Sequence, residues 1–538
     1  MAFIYKLSGI CMAALLLVAC GSKIPEKFSQ SDDLPTIYPD YVDVTVPQNI
    51  APLTFELDGK VDDMVTRLKA GDKEVICDGV KVQPDADDWH ELIQAALKQK
   101  EQAIAVEVYV ERNDHWTRYK PFSIFVSSDP IDPYISYRLI SPSYVTYEEL
   151  TINQRCLENY DESVIYDNML CSEDTKGQCI NCHNYQQYNP DRMQFHARQN
   201  LGGTVIAYDG TIRKVNMKND SILSAGVYPA WHPTLPFIVY STNLTAQSFH
   251  ISDPNKIEVF DTKSDLIAYN VETNEVTNIE DDPTELECFP HWAPDGKTLY
   301  YCSAHFEYYD TIDPGQEFLM RYDEARYKLY KKSFDPATHQ FGPRQLVLDT
   351  TAVDAAIDST LNYELSARAC SLSQSEATER TMNYELLTMN SHSATLPRVS
   401  PDGRFLMFTL APYGVFHIWH HDADLWLLDL QTGEARCMDE INSPDTESYH
   451  SWSSNGRWVI FSSRRYDGNY TRPFIAHIDK DGKGSKPFEL PSADPDYHRQ
   501  FLKCYNVPEF MRGPVTITPQ QFAGALKKEP VNVTYKAR

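Results

Sequence analysis

The sequence predicts a mainly β fold, and three observations support this class. Aromatic residues are frequent, with 33 Tyr, 23 Phe and 8 Trp among 538 residues, and their flat side chains favour sheets. Short runs of alternating apolar and polar residues recur, separated by Asn, Asp, Gly and Pro. A repeated segment occupies the C-terminal half. The length predicts about two or three domains, since one ordinary core serves fewer residues.

The N-terminus has the pattern of an export signal. Lys6 precedes an apolar run at 10–19 that is too short for a permanent membrane span, and small residues lead into Cys20. This pattern resembles a lipobox, which implies cleavage before Cys20 and lipidation of its thiol. A plain secretory signal and a short transmembrane anchor are the alternatives. We therefore expect a signal peptide at 1–19, a flexible polar tether at 20–33, and a lipoprotein anchored in a membrane of the cell envelope, facing the periplasm or the exterior.

Residues 34–143 are predicted to form a small β-sandwich of the Ig or fibronectin type. Their period-two runs are broken by turn residues, which is typical of short antiparallel strands. One helix is expected at Trp89–Gln99. The alternative is an irregular β-rich cap on the domain that follows.

Residues 202–493 contain four copies of one segment, and they predict a β-propeller. The copies begin at Tyr228, Phe289, Leu396 and Tyr449. In each, an anchor precedes a tight turn and a buried strand; the anchors are Trp231, Trp292, Val399 and Trp452. The unit resembles the WD40-like (PD40) repeat of TolB-type propellers, and Ser400-Pro401-Asp402-Gly403 matches its core turn except that Val399 replaces Trp.

The number of blades follows from the spacing of the anchors. Trp292 and Val399 lie 107 positions apart, whereas a blade takes roughly 40–50 residues. This gap predicts either a hidden blade or an insertion, for which the helical spacing of Ala and Glu at 354–389 is the candidate. About six or seven blades are expected in total. The C-terminal region 494–538 is predicted to be a helix and a tail.

The segment 144–201 is polar, shows little strand alternation, and is predicted to be an insert of loops and helix. It contains Cys179-Ile180-Asn181-Cys182-His183, the Cys-x-x-Cys-His pattern of covalent haem attachment. Two thiols at this spacing reach the haem vinyl groups, and the adjacent His183 reaches the iron. Met193 and His196 are the candidates for the sixth ligand of this haem c. A zinc site that includes Cys171 and an oxidised or redox-active cysteine pair are the alternatives.

Charge and motifs narrow the classes of function. A formal net charge of −27 repels phosphate backbones and excludes nucleic acid as a partner. There is no Gly-x-Ser-x-Gly sequence, so hydrolysis by a nucleophile elbow is not supported. Copper bound by several blades is a further alternative; its candidate ligands are His232, His291, His305, His417, His420, His421 and His450.

The expected function is that of an exported, lipid-anchored monohaem c-type cytochrome, which transfers electrons or positions a redox partner in the cell envelope. The principal alternative is a non-enzymatic TolB-like scaffold that binds peptide, glycan or an envelope protein. A haem and copper reductase is the third hypothesis.

Overall fold

The computed structural model of the protein describes residues 24–142, 149–171, 177–309, 313–348 and 392–537. The predicted signal peptide, Cys20 and the helical insertion expected at 354–389 lie outside these residues. Within the described chain, no helix has the length and apolar character needed to cross a membrane.

The N-terminal region contains ten strands and one helix among the described residues. They are β1 (Ser29–Gln30), β2 (Ile37–Tyr38), β3 (Thr45–Pro47), β4 (Phe55–Leu57), β5 (Asp63–Ala70), β6 (Lys73–Asp78), β7 (Lys81–Val82), α1 (Ala86–Leu97), β8 (Ala103–Arg112), β9 (His115–Arg118) and β10 (Phe122–Ser127). Seven strands form one sheet, with the order β1-β9-β8-β10-β3, and with β5 paired to β8 and β6 paired to β5. The other three form the sheet β2-β4-β7.

The predicted helix is confirmed as α1, which packs against β5, β6, β8 and β10 of the larger sheet. The Asp85 side chain caps its first turn by accepting a hydrogen bond from the Asp87 N–H. Trp89, Leu92 and Ile93 on its inner face are buried. A helix therefore covers part of this sheet, and the Ig or fibronectin type of sandwich remains a prediction.

The flexible tether predicted at 20–33 is wrong for its second half. β1 pairs with β9 in parallel, and the Phe28 ring packs edge-on against Tyr109 at 5.1 Å between centroids. The apolar ring of Phe28 gives this otherwise polar segment a contact that holds it on the sheet.

The remaining strands form six sets in chain order, of which the third and fourth are joined in one nine-stranded sheet. The first set contains β11 (Tyr134–Ile140), β12 (Thr151–Cys156) and β13 (Glu162–Asp167). The second contains β14 (Ile180–Gln186), β15 (Asn189–Ala197), β16 (Gly203–Tyr208) and β17 (Thr211–Asn216), and the third contains β18 (Gly226–Trp231), β19 (Phe237–Phe249), β20 (Ile257–Asn270) and β21 (Glu275–Glu280).

The fourth set contains β22 (Glu285–Trp292), β23 (Thr298–His305), β24 (Lys328–Asp335) and β25 (Gln340–Leu348), with α2 (Pro314–Arg321) between β23 and β24. The fifth contains β26 (Ser393–Val399), β27 (Phe405–Ala411), β28 (Asp424–Asp429) and β29 (Ala435–Cys437). The sixth contains β30 (Glu447–Trp452), β31 (Trp458–Ser463), β32 (Arg472–His477) and β33 (Phe488–Glu489). The C-terminal elements are α3 (Tyr497–Gln500), β34 (Cys504–Met511), α4 (Pro519–Leu526), β35 (Val531–Asn532) and β36 (Thr534–Tyr535).

One strand from each set belongs to a closed ring. In order, the ring contains β14, β18, β22, β26, β30 and β34; each contacts the next, and β34 contacts β14. β34 also pairs with β11, so the C-terminal strand completes the first sheet. Sets of strands arranged radially around a closed ring of inner strands define a propeller-type fold, in which each set is a blade. Within the described residues, the ring takes one inner strand from each of the six sets.

Two predictions about individual segments are wrong. The segment 144–201 is not a loop-and-helix insert, because it supplies β12 and β13 of the first blade and β14 and β15 of the second. Within 494–538, the predicted helix is present as α4, but β34 is an inner strand rather than part of a tail. β35 and β36 add to the outer edges of the second and third blades.

Candidate binding site on the propeller axis

Each inner strand has one residue in the left-handed region of backbone space, with φ between 48° and 55°. These residues are Cys182, Tyr228, Phe289, Leu396, Tyr449 and Val507. At each of them the pairing register with the neighbouring strand shifts, which defines a β-bulge. The same bulge therefore occurs once per blade. It turns the side chains of the inner strand toward the central axis of the propeller.

The haem-like motif coincides with one copy of this bulged segment. Cys182-His183-Asn184-Tyr185 occupies the position that Tyr228-Pro229-Ala230-Trp231 occupies in the next blade. Val507-Pro508-Glu509-Phe510 is the sixth copy. The other four copies are recognisable in the sequence from their turns, but the copies that begin at Cys182 and Val507 are not. The sequence features that could have identified these two are an aromatic residue three positions after the bulge and, in the second, Pro508.

His183 lies where His450 lies in the sixth blade. His450 Nε2 is 3.1 Å from the Met407 carbonyl oxygen of the preceding blade. His183 faces the carbonyls of Val507 and Ser136, also in the blade before it, although neither ring nitrogen reaches hydrogen-bonding geometry with a described residue. Burial, followed by the charge of Arg138, lowers the pKa of His183 to about 3, so its imidazole is neutral. Its position is that of a contact between blades.

A cavity of about 100 Å³, here called the upper cavity, lies among the bulges. It is lined by all six bulge residues, and by His183, Arg138, Asn181 and Asn506 among others. Arg138 is half-buried, and its Nη1 donates to the Ile180 carbonyl at 3.1 Å. Among the described residues, no carboxylate pairs with Arg138. Burial raises the pKa of the Cys182 thiol, and the charges of Arg198 and Arg138 oppose that rise.

The third residue of each bulged segment forms a second ring, here called the polar belt. Its members are Asn184, Ala230, His291, Arg398, Ser451 and Glu509. Arg398 Nη2 and Glu509 Oε1 form an ion pair at 3.2 Å, and Ser451 Oγ donates to Glu509 Oε2 at 3.1 Å. Asn184, Arg398 and Glu509 line both the upper cavity and a second one. The belt therefore separates two cavities on the axis.

The second cavity, here called the lower cavity, has a volume of about 120 Å³. Its wall contains the aromatic anchors Trp231, Trp292 and Trp452 and all members of the polar belt. The ring of His291 is 3.4 Å from Arg398 Nη1. Burial, and then the charge of Arg398, lower the pKa of His291 well below its usual range, so this ring is neutral.

The other predicted haem ligands do not lie on the axis. Met193 and His196 belong to β15, the second strand of the blade, and neither lines the upper cavity. Met193 is fully buried in an apolar core that also contains Cys179. His196 Nδ1 is 3.2 Å from Thr204 Oγ1. The structure thus brings Cys182 and His183 together at the cavity, and places Cys179, Met193 and His196 elsewhere.

Haem does not fit this arrangement. The upper cavity has about a third of the roughly 300 Å³ at which sites for drug-sized ligands begin. Cys179 is closely packed, and the motif is a bulged strand rather than a helical turn. No disulfide joins Cys179 and Cys182 in the described residues. No three His, Cys, Asp or Glu side chains of the described chain are grouped so as to hold a metal ion.

Comparisons with known proteins identify no family. Neither a family of known sequences nor a curated protein matches the chain. Among solved structures, the chain is similar to the tricorn protease, with a TM-score of 0.31, 11% identity, and coverage of 73% of this chain and 33% of that one. It is also similar to prolyl oligopeptidase B from Galerina marginata, with a TM-score of 0.32, 10% identity, and coverage of 80% and 53%. The chain spans about a third of the tricorn protease and about half of the peptidase.

Proposed function

We propose that the protein is an exported, lipid-anchored propeller that binds a carboxylate group in the upper cavity. The observation that carries this proposal is Arg138, a half-buried guanidinium that lines the cavity and has no carboxylate partner among the described residues. An unpaired charge removed from water is costly, and a carboxylate is the group that a guanidinium binds most strongly. A bound carboxylate would remove this cost.

The rest of the lining supports a small polar group held against aromatic walls. Tyr228, Phe289 and Tyr449 supply rings, and Asn181 and Asn506 supply amides. Few polar groups on an apolar wall are typical of sites that orient a ligand. A volume of about 100 Å³ accommodates a carboxylate and the atoms next to it, so the end of a larger molecule would enter. A peptide C-terminus and a uronic acid of a glycan share this chemistry.

The cellular context of the proposal rests on sequence. Cleavage before Cys20, lipidation of its thiol and a place in the cell envelope follow from the lipobox-like pattern. Membership of the TolB-like group rests on the repeat turns. That resemblance supports a binding scaffold but does not supply the ligand, since one fold serves many functions.

Calorimetric titration of the mature protein tests the proposal. The probes are tri-alanine, tri-alanine amide and glucuronate. We expect tri-alanine or glucuronate to bind, and the amide to bind about tenfold or more weakly, because a charge-assisted hydrogen bond contributes about 1.5–3 kcal/mol. Which carboxylate binds distinguishes a peptide from a glycan. Binding of neither, or equal binding of tri-alanine and its amide, contradicts the proposal.

A pair of variants assigns the binding to Arg138. Arg138→Gln is expected to weaken carboxylate binding about tenfold or more, by loss of the cation. Arg436→Gln is the matched control, because Arg436 is half-buried like Arg138, pairs with Glu440 and does not line the cavity. Equal weakening in both variants, or none in Arg138→Gln, contradicts the assignment.

Electron transfer by a covalent haem c is the second candidate. Its specific support is that Cys179 and Cys182 are free thiols at the attachment spacing, next to the neutral imidazole of His183. It requires the first two blades to pack differently from the arrangement described above.

A further inference from the structure

The polar belt contains a carboxylate already bound to an arginine on the axis. Arg398 Nη2 pairs with Glu509 Oε1 at 3.2 Å, and both side chains line the upper cavity. We infer that Glu509 is an internal competitor, which occupies Arg398 in the unliganded protein and is displaced when the carboxylate of a ligand enters. This inference rests on the proposed function, and it makes Arg398 the second residue, after Arg138, that binds the carboxylate of the ligand.

The chemistry of the pair supports this role. Arg398 and Arg138 line the same small cavity, and Glu509 is the acidic residue that lines it with them. A ligand carboxylate presents the same two oxygens to Arg398 that Glu509 presents. Exchange of one for the other leaves the Arg398 guanidinium paired with a carboxylate throughout.

The donors around Glu509 show where its carboxylate would go. Ser451 Oγ donates to Oε2 at 3.1 Å, and Ser451 lines the lower cavity but not the upper one. Asn184 Nδ2 lies 3.5 Å from Oε1 and lines both cavities. The lower cavity, with about 120 Å³, gives the displaced carboxylate room beside a hydrogen-bond donor that it already has. Rotation of Glu509 toward Ser451 would thus break its pair with Arg398 and leave Arg398 free to bind the ligand carboxylate.

A purely structural role makes the opposite prediction for affinity. The belt joins Asn184 of the second blade, His291 of the fourth, Arg398 of the fifth, Ser451 of the sixth and Glu509 of the first. If Glu509 only braced these blades, its removal would lower stability and would leave carboxylate binding equal or weaker. An internal competitor reduces the apparent affinity to the intrinsic affinity multiplied by the fraction of protein in which Arg398 is free.

The test is titration of Glu509→Gln with the carboxylate that binds the wild-type protein, tri-alanine or glucuronate. We expect binding to tighten about tenfold, because glutamine keeps the shape and removes the competing charge. Tri-alanine amide is expected to gain nothing. Glu440→Gln, which removes a half-buried carboxylate from a pair with Arg436, is the matched control and is expected to keep wild-type affinity.

The outcomes separate this inference from the proposed function. Binding of a carboxylate to the wild-type protein with unchanged or weaker binding to Glu509→Gln overturns the inference and leaves the proposed function intact. Absence of binding to both proteins overturns the proposed function and the inference with it. Should Glu509→Gln fail to fold, Glu509→Asp replaces it. The shorter side chain keeps the charge but weakens the pair with Arg398, and about threefold tighter carboxylate binding is expected; unchanged or weaker binding contradicts the inference.

Discussion

Glu287 on β22 is a fully buried carboxyl group. Neither of its oxygens has a hydrogen-bond partner among the described residues, and burial, followed by the charge of Asp265, raises its pKa to about 9. The folded state therefore binds this proton more tightly than the unfolded state, whose pKa is near 4.5. The contribution of this group to the free energy of unfolding is highest below the unfolded pKa, and it decreases as pH rises from about 4.5 to about 9.

Replacement of this group gives a prediction about pH dependence. Glu287→Gln is expected to raise the free energy of unfolding by about 3 kcal/mol at pH 7, since each pKa unit is worth about 1.4 kcal/mol. The gain is expected to be small at pH 5 and larger at pH 8. Urea unfolding at the three pH values measures it, with exposed Glu434→Gln as the control. A gain that does not grow with pH contradicts the assigned pKa.

His183 gives a prediction about stability. Because it occupies the same place between blades as His450, His183→Ala and His450→Ala are each expected to lower the free energy of unfolding, by about 1–3 kcal/mol. Chemical unfolding of the two variants measures the effect. If only His450→Ala is destabilised, the two histidines do not share a structural role.

From the sequence, Cys179, Cys182 and His183 are recognised as a pattern of haem attachment. The sequence does not predict what surrounds them in the folded protein, because the residue types alone do not distinguish a helical turn from a bulged strand. In the folded protein the choice depends on β34, whose Val507 carbonyl lies more than 300 positions further along the chain. Local spacing therefore predicts a chemistry that the distant partner strand does not accommodate.

At the scale of elements, β34 closes the ring. It pairs with β11 in the first blade, and its Tyr505 and Phe510 are buried in the core that the N-terminal region shares with the sixth blade. Removal of 504–538 is expected to abolish cooperative unfolding, because the first blade loses its inner strand. Removal of 530–538, which takes away only the edge strands β35 and β36, is expected to preserve it. Thermal unfolding followed by near-UV circular dichroism measures both, and a cooperative transition in the shorter chain contradicts the role of β34.

The elements that sequence predicts best are those with local signals. α1 is predicted from its spacing and capped by the adjacent Asp85, and the four repeat copies are visible because Asp-Gly or Asn-Gly turns, or the Trp231 anchor, lie close by. β14 and β34 lack such turns and contain polar residues at the bulge, which interrupts the alternation expected of a strand. Their assignment depends on pairing with β15 and β11.

At the scale of the whole molecule, the candidate site belongs to all six blades. The upper cavity takes one bulge residue from each inner strand, and these strands are spread over residues 180–511. The N-terminal region is fixed to the sixth blade, where Asp132 accepts hydrogen bonds from Ser454 N and Oγ at 2.6 Å. The ring of strands brings Arg138 and Arg398 to the same cavity, although the chain has a net charge of −27. Composition does not predict this local pair of cations.

The central claim is that Cys182 and His183 belong to a propeller strand beside a carboxylate site. Intact mass spectrometry of the mature protein, exported from a host with active haem-attachment machinery, tests it most directly. The account predicts a mass equal to the polypeptide and its lipid, with no porphyrin attached. A mass increase of one haem that disappears when Cys179→Ala and Cys182→Ala are combined would contradict it.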